Sequence, residues 1–280
     1  MNKKKFAVIG HPIGHTMSPF IHQRLFELSG VDAEYGVLDI SPSDFERDYI
    51  EILKPLDGYN ITIPHKTRVI PLLDEIDGKA EMYGSVNTVR NRDGVSKGFT
   101  TDPDGFLKAL EYASIPLSGR VVILGCGGVA RTMAFEAIKK GAEVELAVRE
   151  SSRSKAEALV LEINEKLSAP KISITDISAF SGEVKTLINA TPVGMSPKSD
   201  FQPVTDSQLS GCENVFDAIY NPLETKLVRK AKSLGINAEG GMSMLVWQAV
   251  VSHRHWDGSE YDVKDIEKLC ADAAEELMKR

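Results

Sequence analysis

The stretch Val121-Val-Ile-Leu-Gly-Cys-Gly-Gly-Val-Ala-Arg131 constrains the fold more than any other part of the chain. Four apolar residues between Gly119 and Gly125 have the composition of a strand buried on both faces. Gly125, Gly127 and Ala130 then follow the G-x-G-x-x-G/A spacing. The physics of that spacing is a tight turn, close backbone approach to a pyrophosphate, and close packing of helix on sheet. The unpaired N–H groups of a helix starting near Gly128 point at an anion. Strand-to-helix turns without a ligand also meet the spacing. Gly128, which opens the turn further, and a second strand-like run at Ala142–Val148 favour dinucleotide binding by this segment.

With 280 residues, 42% of them hydrophobic and 26% charged, the chain has room for two ordinary domains, each with its own core. A net charge of −7 argues against nucleic acid or an anionic membrane as the main partner. Cys126, Cys212 and Cys270 are widely spaced and form no C-x-x-C, so neither a disulfide framework nor a zinc site is expected. A reducing cytoplasm is the natural setting. Lys3-Lys4-Lys5 precedes an apolar run too short for a signal-peptide core, and no segment approaches the ~18 apolar residues of a membrane span. His11 and His15 sit in a loop broken by Pro12 and Gly14, and His253 and His255 are two apart on a helix, on different faces. Solvated or cap-forming histidines, and no metal, are therefore expected.

The chain begins with a strand at Phe6–Gly10, and His11–Ser18 carries too much Pro and Gly to be anything but a loop. Ser18-Pro19 predicts a helix start, with Ser18 as N-cap, running to about Ser29 before Gly30. Thr16 and Ser18 place two hydroxyls at a strand's C-terminal end, where ligands of open α/β sheets sit. Glu34–Ile40 reads as a second strand, and Ser43-Asp-Phe-Glu46 as a capping box. In Gly58–Lys66 the period of two puts Asn60 and Thr62 on one side, and Pro64 predicts a helix with Lys66 in its first turn. A lysine there opposes the helix dipole, a mild sign of function. Asp93-Gly94 predicts a two-residue hairpin turn, and Asp102-Pro103 an N-cap opening a helix to about Tyr112. From Gly119 to about Ala238, strands at 120–124, 143–148, 171–174, 186–188 and 215–216 alternate with helices, the pattern of a doubly wound parallel sheet. Two helices, 241–256 and 262–279, close the chain, with Met244 and Gln248 on one face of the first.

Taken together, GHPIGHTMSPFIH, NITIPHK, GSVNT, TTD, GCGGVAR, NATPVGM, DAIYNP and GGMSMLVWQA resemble the motifs of the shikimate dehydrogenase family, in the family's order and across nearly the whole chain. The resemblance implies an α/β protein with an N-terminal α/β substrate domain, residues 1–102, completed by C-terminal helices, residues 240–280. A Rossmann-type, doubly wound dinucleotide-binding domain, residues 103–239, lies between, with a cleft separating the two. It also implies NADP-linked interconversion of 3-dehydroshikimate and shikimate, a step of aromatic amino-acid biosynthesis. Carried over by position, Thr16 and Ser18 hold the substrate carboxylate, while Thr62, Asn87 and Gln248 hold ring hydroxyls. Lys66 and Asp102 form the catalytic pair, with Asp102 also touching substrate and Tyr220 near it. Gly125, Gly127, Gly128, Val129 and Ala130 form the phosphate turn, Arg149 and Thr191 bind the cofactor, and Gly241 and Met244 lie near the nicotinamide. The chemistry agrees, because hydride reduction of a ketone leaves an alkoxide that an ammonium, aimed by a carboxylate, both stabilises and protonates. Lys66 is then the acid and Asp102 its orienter.

Three positions depart from the family pattern. Thr16 replaces the first carboxylate-binding serine and Thr100 the usual Asn before Thr-Asp, so both bear on the choice between shikimate and quinate. Val148-Arg149-Glu150 replaces Asn-Arg-Thr and bears on the choice between NADP and NAD. Arg149 suits a 2′-phosphate, whereas Glu150 repels one; Arg153 and Lys155, in what reads as a long basic loop, compensate. The expectation is NADP with reduced discrimination and some activity with NAD. A non-catalytic sensor on the same fold is the competing class, and Lys66 with Asp102 argues against it. A folate-linked dehydrogenase of similar shape does not need two hydroxyls in the first loop.

Overall fold

In the computed structural model, which describes residues 3–14, 16–168 and 170–280, Phe6, Ala7, Val8 and Ile9 are each 4% exposed or less. Such a continuous apolar run belongs to a strand covered on both faces. β1 (Lys4–Gly10) indeed lies inside a sheet, paired in parallel with β2 (Ala33–Asp39) on one side and β3 (Gly58–Ile61) on the other. α1 (Ser18–Ser29) turns Ile21, His22, Leu25 and Phe26 inward and ends at Gly30, whose φ of 68° is the left-handed cap glycine favours. α2 (Phe45–Asp48) continues into one wide turn at Tyr49–Leu53. Beyond β3 come β4 (Glu75–Ile76), α3 (Gly78–Tyr83), β5 (Thr88–Arg92) and β6 (Val95–Phe99). β5 and β6 form the expected hairpin, closed by Asp93 and Gly94 with φ of 53° and 80°. The first sheet has the order β2-β1-β3-β5-β6-β4.

α4 (Asp102–Tyr112) leads into the second sheet. Its elements are β7 (Arg120–Leu124), α5 (Gly128–Lys139), β8 (Glu143–Val148), α6 (Arg153–Lys166), β9 (Ile172–Asp176) and β10 (Val184–Asn189), then α7 (Asp206–Leu209), β11 (Cys212–Asp217), α8 (Lys226–Ser233) and β12 (Asn237–Glu239). All pairings are parallel and the order is β12-β11-β10-β7-β8-β9. Strand order therefore reverses between β7 and β10, the switch point at which doubly wound sheets hold ligands beyond their carboxyl ends. Val122, Leu124, Leu187 and Val215, all fully buried, form the middle of its core. α9 (Met242–Asp257) and α10 (Val263–Met278) end the chain.

The chain divides into two compact units, one made of Met1–Gly105 and Val246–Arg280, the other of Phe106–Leu245. Within the first, Trp256 of α9 joins Phe6, Phe26 and Ala33 in a core cluster and donates its indole N–H to Val89 O at 2.9 Å. No helix among the described residues is long and apolar enough to cross a membrane.

Several local expectations fail for identifiable reasons. Ser18 is the first helical residue, not the cap, and its own N–H goes to the Thr16 hydroxyl at 3.2 Å. No capping box forms at Ser43: α2 starts at Phe45 with Asp44 at the cap position, and the Ser43 hydroxyl bonds Ser41 Oγ at 2.7 Å instead. Pro64 starts no helix: the His65 N–H closes a turn on Thr62 O at 3.0 Å. The dipole argument for Lys66 therefore falls. Asp102 is the first residue of α4 rather than its cap, and its two oxygens meet Lys66 and Asn87. No helix separates β9 from β10. The long basic loop after β8 is a single turn, Glu150–Ser152, that runs straight into α6, with Arg153 as its first residue.

Candidate active site

Lys66 is held by its neighbours before its side chain does anything. The His65 ring is fully buried, stacks on Phe45 at 4.3 Å and donates from Nε2 to Ile40 O at 2.7 Å. On the other side Lys66 O accepts the Val86 N–H at 2.9 Å. With its backbone held on both sides, Lys66 carries its Nζ to 2.6 Å from Asp102 Oδ2. The pair is partly shielded, with side chains 26% and 13% exposed, so one face of the ammonium can meet a ligand.

Asn87 fixes the other end of Asp102. Its Oδ1 accepts the Thr101 N–H at 2.8 Å, which forces its NH₂ toward Asp102 Oδ1 at 2.8 Å, Thr101 Oγ1 at 3.0 Å and Gln248 Oε1 at 3.3 Å. The amide is thus oriented by a backbone donor that cannot move without unwinding the start of α4. Lys66, Asp102, Asn87 and Gln248 are brought together in one network. Thr62 sits at the turn just before it, where the His11 N–H still donates to Ile63 O at 3.0 Å and keeps the first loop beside that turn. Thr16 donates its hydroxyl to Ser18 Oγ at 3.1 Å, so the two hydroxyls form a local pair. Arg280 Nη1 donates to Thr16 O at 3.1 Å and pins the same loop.

His11 is exposed and His255 partly buried, but His253 is not solvated. His253 and His22 are 0% and 3% exposed and bond each other, Nε2 to Nδ1, at 3.0 Å. Burial holds the pKa of His22 well below its ordinary value and that of His253 down to about 4. His255 stacks on Phe99 at 4.0 Å. His11 bonds Asp39 at 2.6 Å, and His15 lies outside the described residues.

In the second unit Gly125 has a φ of 99°, and a Cβ there would stand 3.0 Å from Thr191 Cγ2. Both facts require glycine and bring the turn beside Thr191. A Cβ at Gly127 or Gly128 would meet no other atom within 4 Å, so protein packing does not explain those two glycines. They leave the backbone open to close approach by a ligand. The N–H groups of Gly128, Val129 and Ala130 open α5 and have no partner within the helix, the arrangement that binds phosphate. These residues fit a dinucleotide. Arg131 is instead committed to Glu162, its Nε 2.9 Å from Oε2, and holds that carboxyl at about 2. Cys126 Sγ reaches Ser152 O at 3.7 Å and ties the glycine turn to the turn after β8, where Arg149 and Glu150 are exposed.

Sequence reasoning gave no role to Asn189 and Asp217, which organise the far side of this sheet. Asp217 is fully buried and accepts from Asn189 Nδ2 at 3.0 Å, the Ile219 N–H at 3.1 Å and Thr225 Oγ1 at 2.7 Å. Burial pushes its carboxyl up to about 6, against the pull of those three donors. Asn189 Oδ1 accepts from Thr191 Oγ1 at 2.7 Å, so one polar knot holds both the Thr191 and the Tyr220 loops. The signal was available: each is a polar residue ending an otherwise apolar strand. Gly241 donates its N–H to Ile219 O at 2.9 Å, and a Cβ there would lie 2.3 Å from Ala218 O, so glycine is needed for this close approach. Met244, 7% exposed, follows on α9, and Tyr220 is half-buried.

Comparison with known proteins gives this geometry relatives. A family described as shikimate dehydrogenase substrate binding domain matches residues 8–89. The shikimate dehydrogenase (NADP(+)) of Geobacillus kaustophilus is 37% identical over 275 residues, covering 97% of this chain and 99% of that one. The shikimate 5-dehydrogenase of Thermus thermophilus, solved in complex with NADP(H) and shikimate, superposes with a TM-score of 0.85 at 32% identity over 96% of this chain and 99% of that one. That of Listeria monocytogenes, solved with shikimate and NAD, gives 0.84 at 29% identity over 95% and 96%. Near-complete coverage at this identity, on a protein with the Lys66–Asp102 pair and the glycine turn already in place, means that the chain belongs to the shikimate dehydrogenase family.

Proposed function

We propose that this chain is an NADP-dependent oxidoreductase that interconverts shikimate and 3-dehydroshikimate. The observation that carries the mechanism is an ammonium 2.6 Å from a carboxylate whose second oxygen is already held by Asn87. In this reading the first unit binds the substrate. Thr16 and Ser18 take its carboxylate, and Thr62, Asn87, Asp102 and Gln248 take its ring hydroxyls. The second unit binds the dinucleotide through the backbone of Gly125, Gly127, Gly128, Val129 and Ala130. Arg149 serves the 2′-phosphate, and Thr191, Gly241 and Met244 serve the remainder.

The nicotinamide, when bound, supplies or accepts the hydride. As a ketone is reduced its oxygen gains negative charge, and Lys66 Nζ donates first a hydrogen bond and then its proton to that oxygen. Oxidation runs the same transfer backwards, with the neutral amine accepting the hydroxyl proton. Asp102 keeps Nζ aimed and stabilises its charged form, while Asn87 prevents the carboxylate from turning away. Lys66→Ala should lower kcat by roughly 10²-fold or more, the usual scale of general acid–base catalysis. Shikimate binding, measured by calorimetry, should change far less, because the carboxylate and hydroxyl contacts remain. Unaltered turnover in the folded variant would remove Lys66 from the mechanism.

A further inference from the structure

Thr62, which leads into the turn that carries Lys66, is fixed along its backbone. Its N–H donates to Ile9 O at 2.9 Å, and its carbonyl accepts the His65 N–H at 3.0 Å. The next carbonyl, that of Ile63, accepts the His11 N–H at 3.0 Å. Thr62 thus lies one position beyond the paired Ile9 and Ile61 of β1 and β3, beside Gly10. Gly10 is held as firmly, since its own carbonyl accepts the Ile40 N–H at 3.1 Å, and Ile40 O accepts from the buried His65 ring at 2.7 Å. The Thr62 side chain is half-buried, and none of the described residues bonds its hydroxyl.

Glycine is required at position 10 for space and not for backbone freedom. Gly10 is not among the glycines of positive φ, so its backbone conformation suits any residue. A Cβ built on it would stand 2.5 Å from Thr62 Cγ2, closer than two unbonded carbons come. The next atoms are Ile63 O at 3.1 Å and Ile13 Cδ1 at 3.4 Å, so the methyl branch of Thr62 is the main obstruction. With both backbones held by hydrogen bonds, the relief that remains is rotation about the Thr62 Cα–Cβ bond. A step of about 120° to either of the other staggered rotamers moves all three substituents of Cβ together. The methyl cannot leave its place beside Gly10 without the hydroxyl leaving its own.

We propose that Gly10 is a positioning residue for substrate: by lacking a side chain it gives the Thr62 methyl its place, and so presets the rotamer that offers the Thr62 hydroxyl to a ring hydroxyl of the substrate. The inference rests on the reading of Thr62 as a ring-hydroxyl ligand. Gly10→Ala misdirects one hydrogen bond of the bound complex. The loss falls on binding more than on proton transfer, because Lys66 and Asp102 meet through side chains that a Cβ on Gly10 does not approach.

The test is a double-mutant cycle between Gly10→Ala and Thr62→Ser, which removes the methyl branch and keeps the hydroxyl, read by steady-state kinetics with shikimate and NADP. In the wild-type background Gly10→Ala should raise the shikimate KM about three- to tenfold, the range of one hydrogen bond. The fall in kcat should be smaller, and the KM for NADP should not move. In the Thr62→Ser background the same change should raise the shikimate KM less than about twofold, because only Ile63 O must still give by a few tenths of an ångström. An equal rise in both backgrounds, the mark of general strain in β1, overturns the proposal, as does an unchanged KM in Gly10→Ala alone. If Gly10→Ala alone does not fold, a folded double variant whose KM matches that of Thr62→Ser supports the proposal. A double variant that does not fold overturns it, since the Thr62 branch is then not what glycine makes room for. Thr62→Val keeps the branch and drops the hydroxyl; an unchanged shikimate KM there removes Thr62 from substrate binding and overturns the inference with it. A wild-type protein that does not oxidise shikimate overturns the functional reading as well, whereas an active wild type with an additive cycle overturns the inference only.

Discussion

Under the proposed function, Thr16 is the place where a single group, its extra methyl, should bear on specificity. Its hydroxyl caps the Ser18 N–H and donates to Ser18 Oγ, so Thr16→Ser should preserve activity and chiefly alter the shikimate-to-quinate ratio of KM values. Thr16→Ala removes the donor and should raise KM for both; if neither KM moves, the carboxylate is bound elsewhere. Glu150 poses the corresponding question for the cofactor. It is exposed beside Arg149, with only one turn between β8 and α6, so no long basic loop stands by to offset its charge. Glu150→Thr should raise the ratio of kcat/KM for NADP over NAD, and a strong NAD preference persisting in the variant would contradict the role given to Arg149. At this scale residue types were legible from motif spacing, but their surroundings were not. The sequence predicts Lys66 in a helix's first turn, whereas the His65 anchors on Ile40 and Phe45 make that segment a tight turn. Those anchors come from residues 20 and 25 positions away and leave no local trace.

Among the elements, strands with β-branched runs and the Asp-Gly hairpin were readable because their signals are local: β7 and β8 fall where apolar runs and glycine punctuation put them. The β9–β10 crossover was not readable, because a helix there is optional once the chain has crossed the sheet. α1 and α9 carry a feature that no periodicity reveals, the buried His22–His253 pair that bridges them. Both pKa values are lowered in the folded state, so the unfolded chain takes up protons below about pH 6.5 that the native protein refuses. The stabilising effect is fully present above pH 6.5 and is lost as pH falls toward about 4. Asp257 works in the opposite direction, since its charge favours the protonated ring. The melting temperature should therefore drop more steeply between pH 6.5 and 4.5 in the wild type than in the His22→Phe/His253→Phe double variant; parallel curves would contradict this account.

At the scale of the whole molecule, the order of motifs carried more information than any one of them. A glycine turn alone allows many ligands, and a Lys–Asp pair serves more than one class of dehydrogenase. The first unit carries the Lys66–Asp102 pair and the loop hydroxyls, and the second carries the turn whose glycines packing does not explain. That division of labour leads to one reaction, hydride transfer between a dinucleotide and a small hydroxy acid. The most direct test is the rate of dinucleotide reduction by the purified protein with shikimate or quinate, each paired with NADP or NAD. The account predicts the highest kcat/KM for shikimate with NADP, together with measurable turnover with NAD. No turnover of shikimate with either cofactor, from a folded protein, would contradict it.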